Sequence, residues 1–381
     1  MTGGSAPKAL TPKEAMLLAI EEGKKGAGFV SPNPLVGCVI LDREHRLLAK
    51  GYHARLGDLH AETHALKQVD DPSRLEGAHV FVTLEPCAHE GRQPSCAKHL
   101  SKLPLASVTY GLRDPNPLVM GKGADILRTA GLAVHEFGEL KPELEELAEI
   151  FLLNQRRKRP FVAMKVATSL DGKTALPDGQ SQWITGPTAR SRVQFLRGSH
   201  DAVLTGAGTV LRDRPRLNSR DPRFTQKRQR LVILDAEGQL GHQLAGLPLM
   251  EVRRAEDVLL LTGRRIVTGL PIEQVELALK EGEFDFQQVM VELRQRDIHS
   301  VFLEAGERTL SAFLKARLAD RLYVFLAPKL LGQGLGWTSG LRLAGLDQAV
   351  ELTHSRMESI GSDWLFSGVP VWPDQGPGPN P

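Results

Sequence analysis

Apolar residues fall along this chain in short unbroken runs separated by longer mixed stretches. Residues 35–41, 80–83, 161–166, 202–204, 231–234, 258–261 and 301–303 are runs of the length of buried strands. Residues 47–53 and 107–111 read as further strands. Between them lie helix signals. Thr11-Pro12-Lys13-Glu14 combines an N-cap, Pro at the first helical position and Glu at the third, so it opens a helix that turns Met16, Leu17, Ala19 and Ile20 inward and stops at Gly23 and Gly26. Ser31-Pro32-Asn33-Pro34 is a rigid turn. Helices are expected to start at His60, between Pro94 and Ser101, and over residues 142–153. Strands alternating with helices predict α/β layers.

The alternation breaks once, at Gln155-Arg156-Arg157-Lys158-Arg159-Pro160, then restarts. This basic, Pro-ended stretch reads as a solvated linker rather than a phosphate contact, and it divides the chain into domains at 1–155 and 160–370. Residues 1–10 and 373–381, rich in Gly, Ser, Ala and Pro, are expected to be disordered.

Composition narrows the class. The 381 residues are 41% hydrophobic and 24% charged, as in soluble globular proteins. No stretch approaches the ~20 apolar residues of a membrane span, and no signal pattern opens the chain, so a cytoplasmic location without membrane partners is expected. The net charge of +3, from 48 basic and 45 acidic residues, gives no electrostatic footprint for nucleic acid. Three cysteines cannot all pair, and Cys38, inside an apolar run, reads as a buried small hydrophobe.

The other two cysteines carry chemistry. His60-Ala61-Glu62 is followed by Pro86-Cys87 and then by Cys96. One imidazole and two thiolates hold Zn²⁺ with the fourth tetrahedral position open for water, whose pKa then falls towards ~7. Glu62 is placed to move a proton onto a departing amine, and the combination is the signature of zinc deaminases that act on pyrimidine or purine carbons. A closed structural zinc with His64 as fourth ligand is the rival reading, but it has no use for Glu62. Both His60 and Glu62 reach one metal only from a first helical turn, because residues two apart on a regular helix face apart.

These residues resemble a known family. Pro32-Asn33-Pro34-Leu35-Val36-Gly37, His60-Ala61-Glu62, Thr83-Leu84-Glu85-Pro86-Cys87 with His89-Glu90-Gly91-Arg92, and Asp114-Pro115-Asn116-Pro117 look like the deaminase half of the bifunctional riboflavin biosynthesis deaminase-reductases. Ser169-Leu170-Asp171-Gly172-Lys173, Ser181-Gln182-Trp183-Ile184-Thr185, Thr209-Val210-Leu211, Glu304-Ala305-Gly306 and Ala327-Pro328-Lys329-Leu330-Leu331-Gly332 look like its reductase half. The resemblance implies a cytidine-deaminase-like three-layer α/β/α domain followed by a dihydrofolate-reductase-like α/β domain. It implies deamination of 2,5-diamino-6-ribosylamino-4(3H)-pyrimidinone 5′-phosphate, then NADPH-dependent reduction of the ribosyl group to ribityl. A small phosphoribosyl pyrimidine is thus the expected partner, and a homo-oligomer is compatible with the resemblance.

By family position, Asn33, His53, His89 and Arg92 line the deaminase pocket, while Ser181, Arg197, Leu217, Arg220 and Glu304 hold the reductase substrate. The cofactor falls to Ala167, Trp183, Thr209, Asp213 and the turn Gly306-Glu307-Arg308-Thr309-Leu310-Ser311-Ala312, which is no G-x-G-x-x-G. Ser95 stands where many relatives have Pro and Ala88 where many have Ser, and the segment from Asp221 to Gln229 looks short, leaving Arg220 the least secure contact. The alternative is a nucleic-acid- or nucleoside-acting zinc deaminase with a non-catalytic second domain; 5% aromatic content and the small net charge speak against a nucleic-acid surface.

Overall fold

A computed structural model describes residues 8–90, 94–116 and 119–373. The predicted disordered ends and Arg92 therefore fall outside the described residues, except residues 8–10 and Pro373. There the expectation fails at the start: Ala9 bridges Arg46, and Leu10 N donates to His45 O at 2.8 Å. The chain forms two compact units, divided between Lys158 and Arg159.

The first unit runs α1 (Pro12–Lys24), β1 (Gly37–Leu41), β2 (Leu47–Tyr52), α2 (Ala61–Leu66), β3 (Ala78–Leu84), α3 (Cys96–Leu100), β4 (Leu105–Leu112), α4 (Lys122–Thr129), β5 (Ala133–Glu136), α5 (Lys141–Leu147) and α6 (Glu149–Arg157). Its five strands lie in the order β2-β1-β3-β4-β5, antiparallel on the β1 side and parallel from β3 to β5. Successive strand residues point to opposite faces, and the sequence uses both. Cys38, Ile40, Val80 and Val82 pack with α2, α3 and α4, while Val39, Leu41 and Phe81 pack with α1 and α5. The result is the expected three-layer α/β/α domain.

Thr11 caps α1 with both arms of a capping box. Leu17, expected inside, is 41% exposed because the buried stripe is Ala15, Met16, Ala19 and Ile20. The single helix expected over residues 142–153 is two, broken at Ala148 (φ −96°, ψ 7°). The expected linker is mostly helix: α6 continues to Arg157, and Lys158 ends it in the left-handed region at φ 53°.

The second unit comprises β6 (Phe161–Ser169), α7 (Pro187–Ser199), β7 (Ala202–Gly206), α8 (Ala207–Asp213), β8 (Arg230–Asp235), α9 (Pro248–Glu251), β9 (Val258–Thr262), β10 (Glu273–Glu276), the short β11 (Leu279–Lys280) and β12 (Glu283–Phe284), α10 (Phe286–Gln295), β13 (Ser300–Leu303), α11 (Glu307–Lys315), β14 (Arg321–Ala327), β15 (Glu351–Ile360) and β16 (Asp363–Val371). Nine strands form one sheet, β10-β9-β8-β7-β13-β6-β14-β16-β15. Neighbours from β10 to β14 are parallel, and β16 and β15 add an antiparallel edge. The central strands are buried on both faces, so their sequences are continuous apolar runs.

Arg159 starts this unit as an anchor rather than as solvated linker. Its guanidinium donates to both Asp320 oxygens at 2.6 and 2.7 Å, and Val162 N donates to the same carboxylate at 2.8 Å. Asp320 is fully buried there. Asp320→Ala would strand the arginine charge in a poorly solvated place and is expected to cost about 3 kcal/mol or more. Urea unfolding followed by circular dichroism should show a lowered midpoint.

Candidate active sites

Local structure turns His60 back towards the two cysteines. His60 is the N-cap of α2, with extended backbone (φ −68°, ψ 159°), and Glu62 lies in the first turn. The cap geometry lets both side chains point the same way, as the chemistry requires. Gly51 on β2 allows the helix to sit close, since a Cβ there would lie 2.3 Å from Ala65 N. Cys87 follows β3 and Cys96 begins α3.

His60 Nδ1 lies 3.5 Å from Cys87 Sγ and 3.4 Å from Cys96 Sγ. Tetrahedral zinc with the usual bond lengths needs N···S edges of roughly 3.5 Å, so the donor set fits the ion in both chemistry and spacing. Among the described residues these are the only three His, Cys or acidic side chains so gathered. Hydrogen bonding with Cys96 and His60 draws the Cys87 thiol down, which favours the thiolate a metal requires. Glu62 is pushed up to about 7 by burial and by the Cys87 charge, and its carboxyl also hydrogen-bonds Cys96. A carboxyl titrating near neutrality can both take and give a proton.

Around this triad the structure gathers some of the expected residues. His53 is buried, stacks edge-on to His60 at 5.5 Å, bonds Leu59 O through Nδ1 at 3.0 Å, and meets Asn33 Nδ2 through Nε2 at 3.2 Å. His89 is exposed and within electrostatic reach of the half-buried Asp114. His64 is turned away: its Nδ1 is 2.8 Å from Tyr52 O, so it does not close a four-residue zinc site.

Two supports of the metal loop were not read as such from the sequence. Ser95 is buried, caps α3 through Lys98 N, and donates to Cys87 O at 2.7 Å. Glu85 is buried and accepts from four backbone N–H groups, those of Asp114, Gly121, Gly123 and Ala124, at 3.0 to 3.3 Å. It fastens the 114–124 segment against the strand end that carries Cys87. Gly123 permits that approach, because a Cβ there would meet Pro86 O at 1.9 Å. A carboxylate directly before the Pro-Cys pair was the available signal.

In the second unit a cavity of 890 Å³ opens where the parallel strands end, the usual place for ligands in such sheets. Ala167, Ser181, Trp183, Arg197, Thr209, Asp213, Leu217, Arg220 and Glu304 all line it. Trp183 is 63% exposed with Arg190 stacked 4.6 Å from its ring, so it is a wall and not a core aromatic. Arg197 is spent internally: it donates to Glu304 Oε1 and Oε2 at 2.6 and 3.0 Å and to Asn218 O at 2.6 Å. Burial raises the Glu304 carboxyl, but Arg197 and Lys165 outweigh it and hold the group below the ordinary carboxylate value. Leu217 sits at φ 54°, a strained position for a branched side chain, with its carbonyl held by Arg253 at 3.0 Å.

Residues Gly306, Glu307, Arg308, Thr309, Leu310 and Ala312 line the same cavity; Ser311 does not, its hydroxyl being bonded to Glu307 and Trp337 O. Lys165, one turn of the pleat before Ala167, is a lining residue missed from sequence, with Nζ 3.6 Å from Glu304 Oε2. A lysine inside an apolar strand run was its signal. The two helices that start over β7 and β13 have Gly at their caps, Gly306 N donates to Thr209 Oγ1 at 2.9 Å, and Cβ atoms at Gly208 and Gly306 would meet open space or ordinary contacts. The start of α11 has this clearance and suits a dinucleotide pyrophosphate, whereas a Cβ at Gly206 would lie 2.8 Å from Thr309 Oγ1, so there the glycine lets the two helix starts approach.

The chain is similar to known proteins over both units. Residues 11–112 match the cytidine and deoxycytidylate deaminase zinc-binding region, and residues 160–366 match the RibD C-terminal domain. A protein of Actinobacillus pleuropneumoniae named riboflavin biosynthesis protein RibD is 36% identical over 373 residues, spanning 96% of this chain and 97% of its own. The structure of Acinetobacter baumannii RibD superposes with a TM-score of 0.81 at 35% identity, covering 94% of this chain and 99% of that one. A Thermotoga maritima structure, named a diaminohydroxyphosphoribosylaminopyrimidine deaminase/5-amino-6-(5-phosphoribosylamino)uracil reductase, gives the same TM-score of 0.81 and 35% identity over 94% of this chain and 99% of its own.

Glu85→Gln would set an amide NH₂ against backbone N–H donors. It is expected to weaken zinc binding by about tenfold, the low end for supports behind metal ligands, as measured by competition with a chromophoric chelator.

Proposed function

The chain belongs to the RibD family of riboflavin biosynthesis proteins, and from that premise we propose how its residues divide two reactions. It is a zinc-dependent deaminase and an NADPH-dependent reductase. We assign the first to residues 1–155 and the second to residues 160–370. The substrate is 2,5-diamino-6-ribosylamino-4(3H)-pyrimidinone 5′-phosphate, and the final product is 5-amino-6-(5-phosphoribitylamino)uracil. The observation that carries the reading is the convergence of His60, Cys87 and Cys96 beside the buried Glu62.

In the deaminase, His60, Cys87 and Cys96 would hold zinc, which would supply the acidity that makes a water nucleophilic near neutral pH. Glu62 accepts the proton from that water and returns it to the departing amine at C2 of the pyrimidine. Its place against Cys96 and its pKa of about 7 suit both halves of the transfer. Asn33 and His53 form one polar wall, with His53 fixed by Leu59 O so that Nε2 faces Asn33. His89 and Arg92, which fall between the two cysteines in the sequence, are assigned to the substrate.

In the reductase, bound NADPH would supply a hydride for the sugar C1, and the protein's task is to bind and orient. Ser181, Leu217 and Arg220 line the sugar-phosphate side, Arg220 being exposed and able to meet a phosphate. Lys165 and Glu304 offer a donor and an acceptor for sugar hydroxyls. Arg197 is assigned a positioning role, because its guanidinium already holds Glu304 and the Asn218 carbonyl. Ala167, Trp183, Thr209, Asp213 and the start of α11 receive the cofactor. Three free cysteines, two of them needed as thiolates, fit a reducing cytoplasm. Among the described residues no helix is long and apolar enough to cross a membrane.

Mass spectrometry of the substrate incubated with zinc-loaded protein tests the reading. An amine-to-carbonyl change is expected without NADPH and a gain of two hydrogens with it; no change in a zinc-loaded protein would refute the substrate. Glu62→Gln is expected to keep stoichiometric zinc, to lose deamination by at least a thousandfold, and to reduce the deaminated substrate at the normal rate. Loss of both activities in that folded variant would argue against separate sites.

A further inference from the structure

The cofactor cavity has two ends, and the sheet order distinguishes them. β7 and β13 are neighbours, and the helices that follow them start side by side at Gly206 and Gly306. A pyrophosphate seated there has β6 beyond β13 and β8 beyond β7. Glu304, Lys165 and Ala167 lie on the β13 and β6 side, so hydride transfer to the sugar belongs there. The adenosine half then lies over the end of β8, where Asp235, Ala236 and Glu237 line the cavity.

Asp235 is not free to read a ribose. It is buried, and its two oxygens accept from Gln239 N and Leu240 N at 2.8 and 2.9 Å. Glu237 is the carboxylate left. In dinucleotide sites a carboxylate at this strand end accepts from the 2′-hydroxyl of NADH and repels the 2′-phosphate of NADPH, whereas a nearby arginine accommodates the phosphate. Here both groups are present and paired: Arg308 Nη1, on the first turn of α11, lies 2.9 Å from Glu237 Oε1. The pair is exposed, 69% at Arg308 and 54% at Glu237, so it exchanges partners at little cost.

We propose that the Arg308–Glu237 pair sets the dinucleotide preference of the reductase, Arg308 leaving Glu237 to take the 2′-phosphate of NADPH. The inference rests on the reductase reading above and adds the residue that discriminates. Glu237 opposes the phosphate by charge and restrains Arg308 until it arrives. The two residues therefore act in opposite directions on the same choice of cofactor.

Isothermal titration of the full-length protein with NADPH and, separately, NADH tests this without turnover. Arg308→Ala is expected to raise the Kd for NADPH at least tenfold and to change that for NADH less than twofold. Arg308→Lys should recover most of the NADPH affinity, since a point charge still meets a phosphate. Glu237→Gln should tighten NADPH several-fold and weaken NADH. An Arg308→Ala protein that binds NADPH as the wild type does, or loses both dinucleotides equally, would overturn the assignment. Wild-type protein that binds neither dinucleotide would instead overturn the reductase reading, and this inference with it.

Discussion

Before a metal can be held, three ligand atoms from separate stretches of chain must come within 4.8 Å of one another, with both sulfurs no more than 3.5 Å from His60 Nδ1. Much of the first unit serves that requirement. The parallel pairing of β3 with β4 puts Cys87 at a strand end, where the chain is free to turn. Ser95 then stitches the start of α3 to the Cys87 carbonyl, which fixes Cys96 relative to Cys87. The close seating of α2 on β2 brings in His60 and Glu62 from the other side. Glu85 closes the arrangement by fastening the neighbouring segment through four backbone hydrogen bonds, a satisfied buried carboxylate in place of an exposed loop.

The second unit solves a different problem. Binding and orienting two sizeable ligands calls for a long crevice with charge of both signs, and buried charge is tolerated only when paired. Glu304 shows how this is met: Arg197 and Lys165 hold it ionised at a strand end where, alone, burial would neutralise it. Arg197, which the resemblance assigns to the substrate, is bound in this structure to the carboxylate it keeps ionised. An arginine in a sequence announces a charge and several donors, but not which partner will take them.

That difference explains what could be read in advance. The zinc site was legible because few residue types ligate zinc and their spacing is distinctive, so His60, Cys87, Cys96 and Glu62 stood out without a structure. The buried parallel strands β6, β7, β8, β9 and β13 were legible as apolar runs, while β14, a run of the same kind, went unread. The edge strands β15 and β16 were not, because β15 is exposed along most of its length and carries no apolar period. α4 and β5 went unread for a similar reason, β5 being largely exposed. Lys165 and Glu85 were hidden by context: each is a charged residue in or beside an apolar run, and only the partner, Glu304 or a row of backbone N–H groups, reveals its use. Leu17 was misplaced because the stripe that Ala15, Met16, Ala19 and Ile20 form at helical spacing leaves it off the inner face.

The same contrast governs how each unit responds to change. In the first, function is concentrated in a few atoms with strict separations, so the supporting residues matter as much as the ligands: a shift of the Cys87 strand end by a fraction of an ångström alters at once every edge of the tetrahedron that meets at Cys87. In the second, the cavity is built from backbone at the ends of β6, β7, β8 and β13, positioned by a sheet whose core residues are wholly buried. The topology fixes where the ligands lie, and side chains such as Arg308 and Glu237 choose among ligands of nearly the same shape. Catalytic placement thus resides in the fold of this unit, and discrimination resides in exposed residues that can change without disturbing it.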